Sequence, residues 1–152
     1  MKFTPKKINA FLLFKLPAAF FTGVRLVSLE AEKSSVSVKH RWINQNPFKS
    51  LFWAVQGIAS ELSTGVLVMK EIDASGKRIS MLVTGMNASF TKKATGRITF
   101  TCLDGLLVSE AVQKTIETGE GQTISMTSEG FNEKGESVSK FVYEWSLKVK
   151  GS

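Results

Sequence analysis

The sequence predicts an α+β fold in which a mostly antiparallel sheet wraps one long buried helix. Three features carry that expectation. Residues 48–70 place Phe48, Phe52, Val55, Ala59, Leu62, Val66 and Met69 at steps of three and four. A second stripe of Leu51, Ala54, Ile58, Glu61, Gly65 and Val68 runs beside the first, so about two-thirds of the helix circumference is apolar, with Glu61 inside that region. Segments with strand signals then surround this helix in the chain, bounded by short polar turns such as Glu32-Lys33-Ser34 and Asn132-Glu-Lys-Gly135. Finally, Gly57, Ala59, Ser60, Ser63 and Gly65 keep the helix surface small, which lets other backbones approach closely.

The elements follow in order. Thr4 is a natural N-cap with Pro5 after it, opening a helix over 5–21 that Pro17 should kink or split. Residues 25–32 and 35–42 read as a hairpin. In its second arm Val36, Val38, His40 and Trp42 alternate with Ser35, Ser37, Lys39 and Arg41, which predicts one buried face and one wet face. Asn46 followed by Pro47 reads as the N-cap of the long helix, and Asp73-Ala-Ser-Gly76 as the turn after it. Strands are expected over 79–90, 97–103, 122–131 and 137–149, with a short helix over 106–116. In the last strand Phe141, Tyr143, Trp145, Leu147 and Val149 share one face. No internal repeat interrupts this order, and we divide the chain into an N-terminal helical extension, 1–22, and one domain, 23–150.

Composition narrows the function classes. The chain has 152 residues, 43% of them hydrophobic and 22% charged, which suits a single globular domain. One cysteine, Cys102, excludes an intrachain disulfide, and with the single histidine, His40, it excludes a Cys/His zinc site within one chain. We expect Cys102 to be a buried strand residue and His40 to pack in the core or make a polar contact. The net charge of +7 points to an anionic partner. No nucleic-acid-binding pattern accompanies it. The N-terminal segment has a basic start and an apolar run, but Lys15 cuts that run and no small-x-small cleavage site follows. We therefore read it as a helix packed on the domain or on a sister subunit, with a membrane-surface role as the alternative, and expect a cytoplasmic protein.

The layout resembles the hotdog fold, in which a curved antiparallel sheet wraps a central helix, over residues 25–149. It is similar in particular to the phenylacetyl-CoA-thioesterase-like group and its uncharacterised thioesterase-like branch. The central helix of that group is entered by N-P-x-G-x-x-H-G-G, with an acidic residue seven positions after the last glycine. Here Asn46 and Pro47 match the start and Glu61 stands at the acidic position. Leu62-Ser63-Thr64-Gly65, Asn87-Ala88-Ser89-Phe90 and Lys92-Lys93 are also family-like. Lys49 replaces the first glycine, and Phe52-Trp53-Ala54 replaces the H-G-G triplet.

The resemblance implies hydrolysis of acyl-CoA thioesters, with coenzyme A as part of the substrate and no cofactor or metal. Glu61 would be the carboxylate that attacks or activates water. A backbone N–H among Phe52, Trp53 and Ala54 would hold the oxyanion, and Asn46 would contact the substrate. Lys92, Lys93 and Arg97 would meet the coenzyme's phosphates. The site would lie between subunits of a homodimer or a dimer of dimers. The eleven phenylalanines favour a medium, long or aromatic acyl group. The replaced triplet supports an alternative, a non-catalytic protein that binds an acyl chain or acyl-CoA on the same fold.

Overall fold

The computed structural model describes residues 2–151. Their elements run α1 (Pro5–Lys15), α2 (Pro17–Phe21), β1 (Arg25–Leu29), β2 (Ser34–Lys39), α3 (Trp53–Ser75), β3 (Ile79–Phe90), β4 (Arg97–Cys102), α4 (Gly105–Thr118), β5 (Gln122–Phe131) and β6 (Ser137–Val149). The strands form one six-stranded sheet in the order β1-β2-β4-β5-β6-β3. Every neighbouring pair is antiparallel. The curved sheet wraps α3, which packs on β1, β2, β4, β5, β6 and α4. This is the α+β hotdog arrangement that the sequence predicts, N-terminal helix included.

Burial inside a sheet explains the residue choice on α3. Val55, Ala59, Leu62, Val66, Leu67 and Val68 are buried, and the apolar face of β6 (Phe141, Tyr143, Trp145, Leu147) closes over them. Polar groups taken into this interface must find partners there, because an unpaired buried donor costs about 1–3 kcal/mol. Each does. Ser139 Oγ donates to Gln56 Oε1 at 2.7 Å, and Trp145 Nε1–H donates to Thr64 Oγ1 at 2.9 Å. The Tyr143 hydroxyl donates to the Gly57 carbonyl at 3.0 Å and pairs with Ser60 Oγ at 2.7 Å. On the other side of the helix Ser63 Oγ pairs with Ser128 Oγ at 2.7 Å, and Ser34 Oγ donates to the Ser63 carbonyl.

The N-terminal helices belong to the same core. Ile8, Leu12 and Ala19 are fully buried with the residues of the sheet. Asn9 fastens α1 to β1: its Oδ1 accepts from the Leu26 N–H at 2.8 Å and its Nδ2 donates to the Leu26 carbonyl at 3.0 Å. Thr4 caps α1 through the Lys7 N–H, and Pro17 separates α1 from α2.

Four expectations are corrected. The long helix begins at Trp53, not Phe48, with Phe52 as its N-cap. Asn46 folds the preceding loop instead, and Lys49 takes a left-handed φ of 59°, incompatible with helix. The helix also continues through Asp73-Ala-Ser to the left-handed Gly76, because nothing earlier stops it. The predicted second hairpin arm ends at Lys39, and Trp42 is 83% exposed in a 3₁₀ turn, Trp42–Asn44. Buried Asn44 causes this. Its Oδ1 accepts from the Arg41 N–H, and its Nδ2 donates to the Thr22 and Lys39 carbonyls, all within 2.9 Å, which pulls the chain off the sheet. Lastly, the serine face of β2 is not wet. Between β1 and β4, Ser35 Oγ meets Thr101 Oγ1 at 3.1 Å and Ser37 Oγ accepts from Arg97 Nη1 at 3.2 Å, so both serines are buried.

Gly130 is fixed by its cross-strand partner, Phe100. A Cβ on Gly130 would fall 2.5 Å from the fully buried Phe100 ring, which itself packs edge-on to Phe141 at 6.0 Å. Gly130→Ala should therefore destabilise the fold by about 1–3 kcal/mol through overpacking, read as a lower midpoint in urea unfolding with unchanged slope.

Candidate functional site

The entrance to α3 is built by its loop. Asn46 Oδ1 accepts from the N–H groups of Phe48 (2.9 Å) and Ser50 (3.2 Å), which curls residues 46–51. The Leu51 N–H then donates to the Ala94 carbonyl at 2.8 Å, and the Phe52 N–H to the Asn44 carbonyl at 2.9 Å. These bonds lay the loop against the β3–β4 connection, which carries Lys92 and Lys93. A groove of about 470 Å³ results, lined by Asn46, Phe52, Trp53, Gln56, Lys92 and Lys93 among others. Five residues chosen from the sequence thus share one groove.

Trp53 is the first helical residue. The Phe52 carbonyl serves the N–H groups of Val55 and Gln56, and those of Trp53 and Ala54 have no partner among the described residues. A helix start presents such N–H groups together with the positive end of the helix dipole, the arrangement that stabilises a developing oxyanion. Phe52 and Trp53, 44% and 52% exposed, meet edge-to-face at the mouth with ring centroids 6.1 Å apart. Lys92 is engaged by Glu136 across 2.5 Å, whereas exposed Lys93 has no ion pair among the described residues.

Glu61 does not line this groove. It lies eight residues along α3 from Trp53, about 12 Å at 1.5 Å per residue. Gly57 and Gly65, one turn before and after it, leave its flanks bare. A Cβ at position 65 would lie 3.3 Å from Trp145 Cζ2 and 3.5 Å from Glu61 Oε1, so the glycine makes room for the indole ring, with the carboxylate beside it at ordinary contact distance. No hydrogen bond or ion pair holds it among the described residues. Burial pushes its carboxyl above the usual carboxylate range. Nearby Tyr143 is pushed up to about 12, first by burial and then, in part, by the Glu61 charge.

Arg97 is placed elsewhere, in a recess with Gly23, Arg25, Lys39 and Arg41. Ala54 is half-buried on α3 outside the groove lining. Cys102 is a buried strand residue whose thiol is pushed up to about 12, mainly by burial. His40 is half-buried, and its Nε2 finds no hydrogen-bond partner among the described residues. Gln56 was not singled out from the sequence. A glutamine one turn into an otherwise apolar helix is the signal that marks it.

The comparisons with known proteins agree with this architecture. The chain matches the family DUF4442, a domain of unknown function, over residues 5–147, which takes in both N-terminal helices. No curated protein matches it. A protein of unknown function from Pseudomonas aeruginosa, described as a probable thioesterase, superposes with a TM-score of 0.81 at 21% identity, covering 97% of each chain. A protein of unknown function from Chlorobaculum tepidum gives 0.82 at 17% identity over 96% of this chain and 94% of its own. A thioesterase from Haemophilus influenzae gives 0.73 at 11% identity over 98% of this chain and 93% of its own. No described helix is long and apolar enough to cross a membrane. The chain therefore belongs to the DUF4442 family, built on the hotdog fold that thioesterases share.

Proposed function

We propose that the protein hydrolyses acyl thioesters of coenzyme A, with Glu61 as the carboxylate that attacks the thioester carbonyl or activates water. The observation that carries this reading is Glu61 itself. It is a carboxylate without a partner among the described residues, raised in pKa by burial and flanked by two glycines on the central helix. A structural carboxylate in that position would be expected to have a donor to hold it. A base needs the opposite: a free lone pair and a pKa lifted toward neutrality.

The oxyanion donors in this reading are the N–H groups of Trp53 and Ala54. They sit too far along the helix from Glu61 to touch the same carbonyl within one chain. The reaction centre is therefore completed by a second copy, one chain supplying Glu61 and the other its helix start. The edge strand β3 favours such pairing. It is twelve residues long, ends the sheet, and exposes Leu82, Met86 and Phe90. A long unpaired apolar edge is a template for another strand. In the groove, Lys93 and Lys92 meet the coenzyme's phosphates, Asn46 faces the substrate, and Phe52 and Trp53 border the acyl group, which is medium, long or aromatic. The second reading is an acyl-CoA-binding protein without turnover. The two exposed rings at the helix start favour it, because they fill space that glycines would leave open.

Purified protein should release thiol from one chain-length class in a panel of short, medium, long and aromatic acyl-CoAs. Glu61→Gln should lower kcat by about 10²–10⁴-fold with KM little changed, as for removal of a general base. Binding without thiol release across the panel would favour the binding protein, and an unchanged kcat in Glu61→Gln would exclude Glu61 as the base.

Glu61 also makes a prediction about stability. Its folded pKa lies above the unfolded glutamate value of about 4.3, so ionisation penalises the folded state. The stability of the protonated form is complete below that value and is lost as pH rises through the folded pKa. Glu61→Gln should thus raise the melting temperature by a few degrees at pH 8 and leave it unchanged near pH 4. Sedimentation equilibrium at micromolar concentration should give a dimer or a dimer of dimers; a monomer there would contradict the shared site.

A further inference from the structure

Four cations converge where β1, β2 and β4 meet the end of α2. Arg25, Lys39, Arg41 and Arg97, with Gly23, line a recess of about 250 Å³ that has no acidic lining residue. It shares no residue with the groove at the α3 entrance. That space equals roughly eight water volumes, enough for a phosphoryl or diphosphoryl group.

The arrangement costs the fold something. Lys39 and Arg97 are direct cross-strand partners, a like-charge pair that destabilises a sheet. The Arg25 guanidinium is shifted downward, first by burial and then by the Arg41 charge beside it. None of the four has an ion pair among the described residues. The nearby carboxylate of Glu133 accepts from the Arg97 backbone N–H at 2.9 Å.

Two of the four cations are also held in place by hydrogen bonds. Arg25 Nη1 donates to the Phe20 and Val24 carbonyls at 2.8 and 2.9 Å, and its guanidinium lies 3.7 Å from the centre of the Phe20 ring. Its other N–H donors are left for a ligand. Arg97 Nη1 donates to Ser37 Oγ at 3.2 Å. Arg41 lies over Gly23, where a Cβ would come 2.5 Å from its Nη2, and Gly23 has a left-handed φ of 89° that suits glycine. Fixed guanidinium groups that converge without a counter-ion match the charge and the planar donor geometry of phosphate oxygens.

We propose that Arg25, Lys39, Arg41 and Arg97 form a binding recess for a phosphoryl group, separate from the thioester groove. Two sources present that chemistry: the headgroup of an anionic phospholipid, or a free phosphate compound. The surroundings favour the headgroup. Exposed Phe21, Trp42 and Ile43 adjoin the recess in sequence, and the Asn44 side chain ties them together by donating to the Thr22 and Lys39 carbonyls at 2.9 Å. Exposed aromatic and aliphatic side chains beside cations suit a membrane–water boundary.

The test uses the full chain and two probes: inorganic pyrophosphate in a calorimetric titration, and phosphatidylcholine vesicles with or without phosphatidic acid in a sedimentation assay. Arg41→Ala and Arg97→Ala should each weaken binding about tenfold, the effect of losing one charge-assisted contact. Gly23→Ala, which displaces Arg41 without removing charge, should weaken it as well. Lys114→Ala, an exposed charge on α4, should not. Sedimentation only with phosphatidic acid vesicles assigns the headgroup, and pyrophosphate binding assigns a soluble phosphate. Binding to neither probe overturns the proposal, as does an equal loss in Lys114→Ala.

Discussion

The structure depends on enclosing a polar-bearing helix in a sheet whose side chains meet each buried polar residue with a hydrogen bond. α3 carries Gln56, Ser60, Ser63 and Thr64 into the interior, all buried. Each is answered from the wall by Ser139, Tyr143, Ser128 or Trp145. Such pairs contribute little net energy individually but fix a register, since a slip of either element would strand several donors in an apolar core. A glycine at position 57 places its carbonyl within reach of the Tyr143 hydroxyl. At 65 another glycine lets the Trp145 ring lie close enough for its indole N–H to reach Thr64. The smallness of the helix and the size of the strand residues are therefore one feature seen from two sides.

That seam also defines where Glu61 sits. The residues on its two flanks are committed to β6, and Glu61 itself is the one carboxylate on this stretch of helix with nothing committed to it among the described residues. Its environment is apolar because the seam has used the neighbouring hydrogen-bonding groups for packing. The raised pKa follows from the architecture, and the same burial that perturbs the carboxyl would exclude bulk water from a substrate carbonyl placed against it.

Much of this was legible in the residues. The helical period of α3, the alternation in β6 and the turn at 132–135 are local signals, and they located the elements. The errors cluster where a single side chain overrides local pattern. Asn46 before Pro47 reads as a helix cap, yet its carboxamide is equally able to curl the next four residues, and the non-local bond from Leu51 to Ala94 decides between the two. Trp42 continues an alternation that Asn44 breaks from two residues away, through contacts to a distant segment. The serine face of β2 reads as wet because alternation reports only the polarity of a face, whereas burial also depends on which strands lie on either side. Five of the chosen site residues meet in one groove because the bond from Leu51 to Ala94 brings together the two short loops that carry most of them. Arg97 does not, since it begins β4 and takes its position from Lys39 across the ladder.

The distribution of charge separates two tasks that composition alone merges. A surplus of +7 reads as a single attraction to anions. In the fold it is divided. At the α3 entrance one lysine is tied to Glu136 and another has no ion pair among the described residues. Beside α2, four cations stand together, Arg25 held by backbone carbonyls and the Phe20 ring and Arg97 by Ser37, with like charges opposed across the ladder. A surface selected for solubility alone would intersperse the two signs, because opposed like charges weaken the sheet that carries them. That cost, kept at a concave point next to exposed Trp42 and Phe21, is the reason the recess is proposed as an anion site. The groove at the α3 entrance and the basic recess share no lining residue, so a ligand seated in the recess would leave the entrance of α3 open.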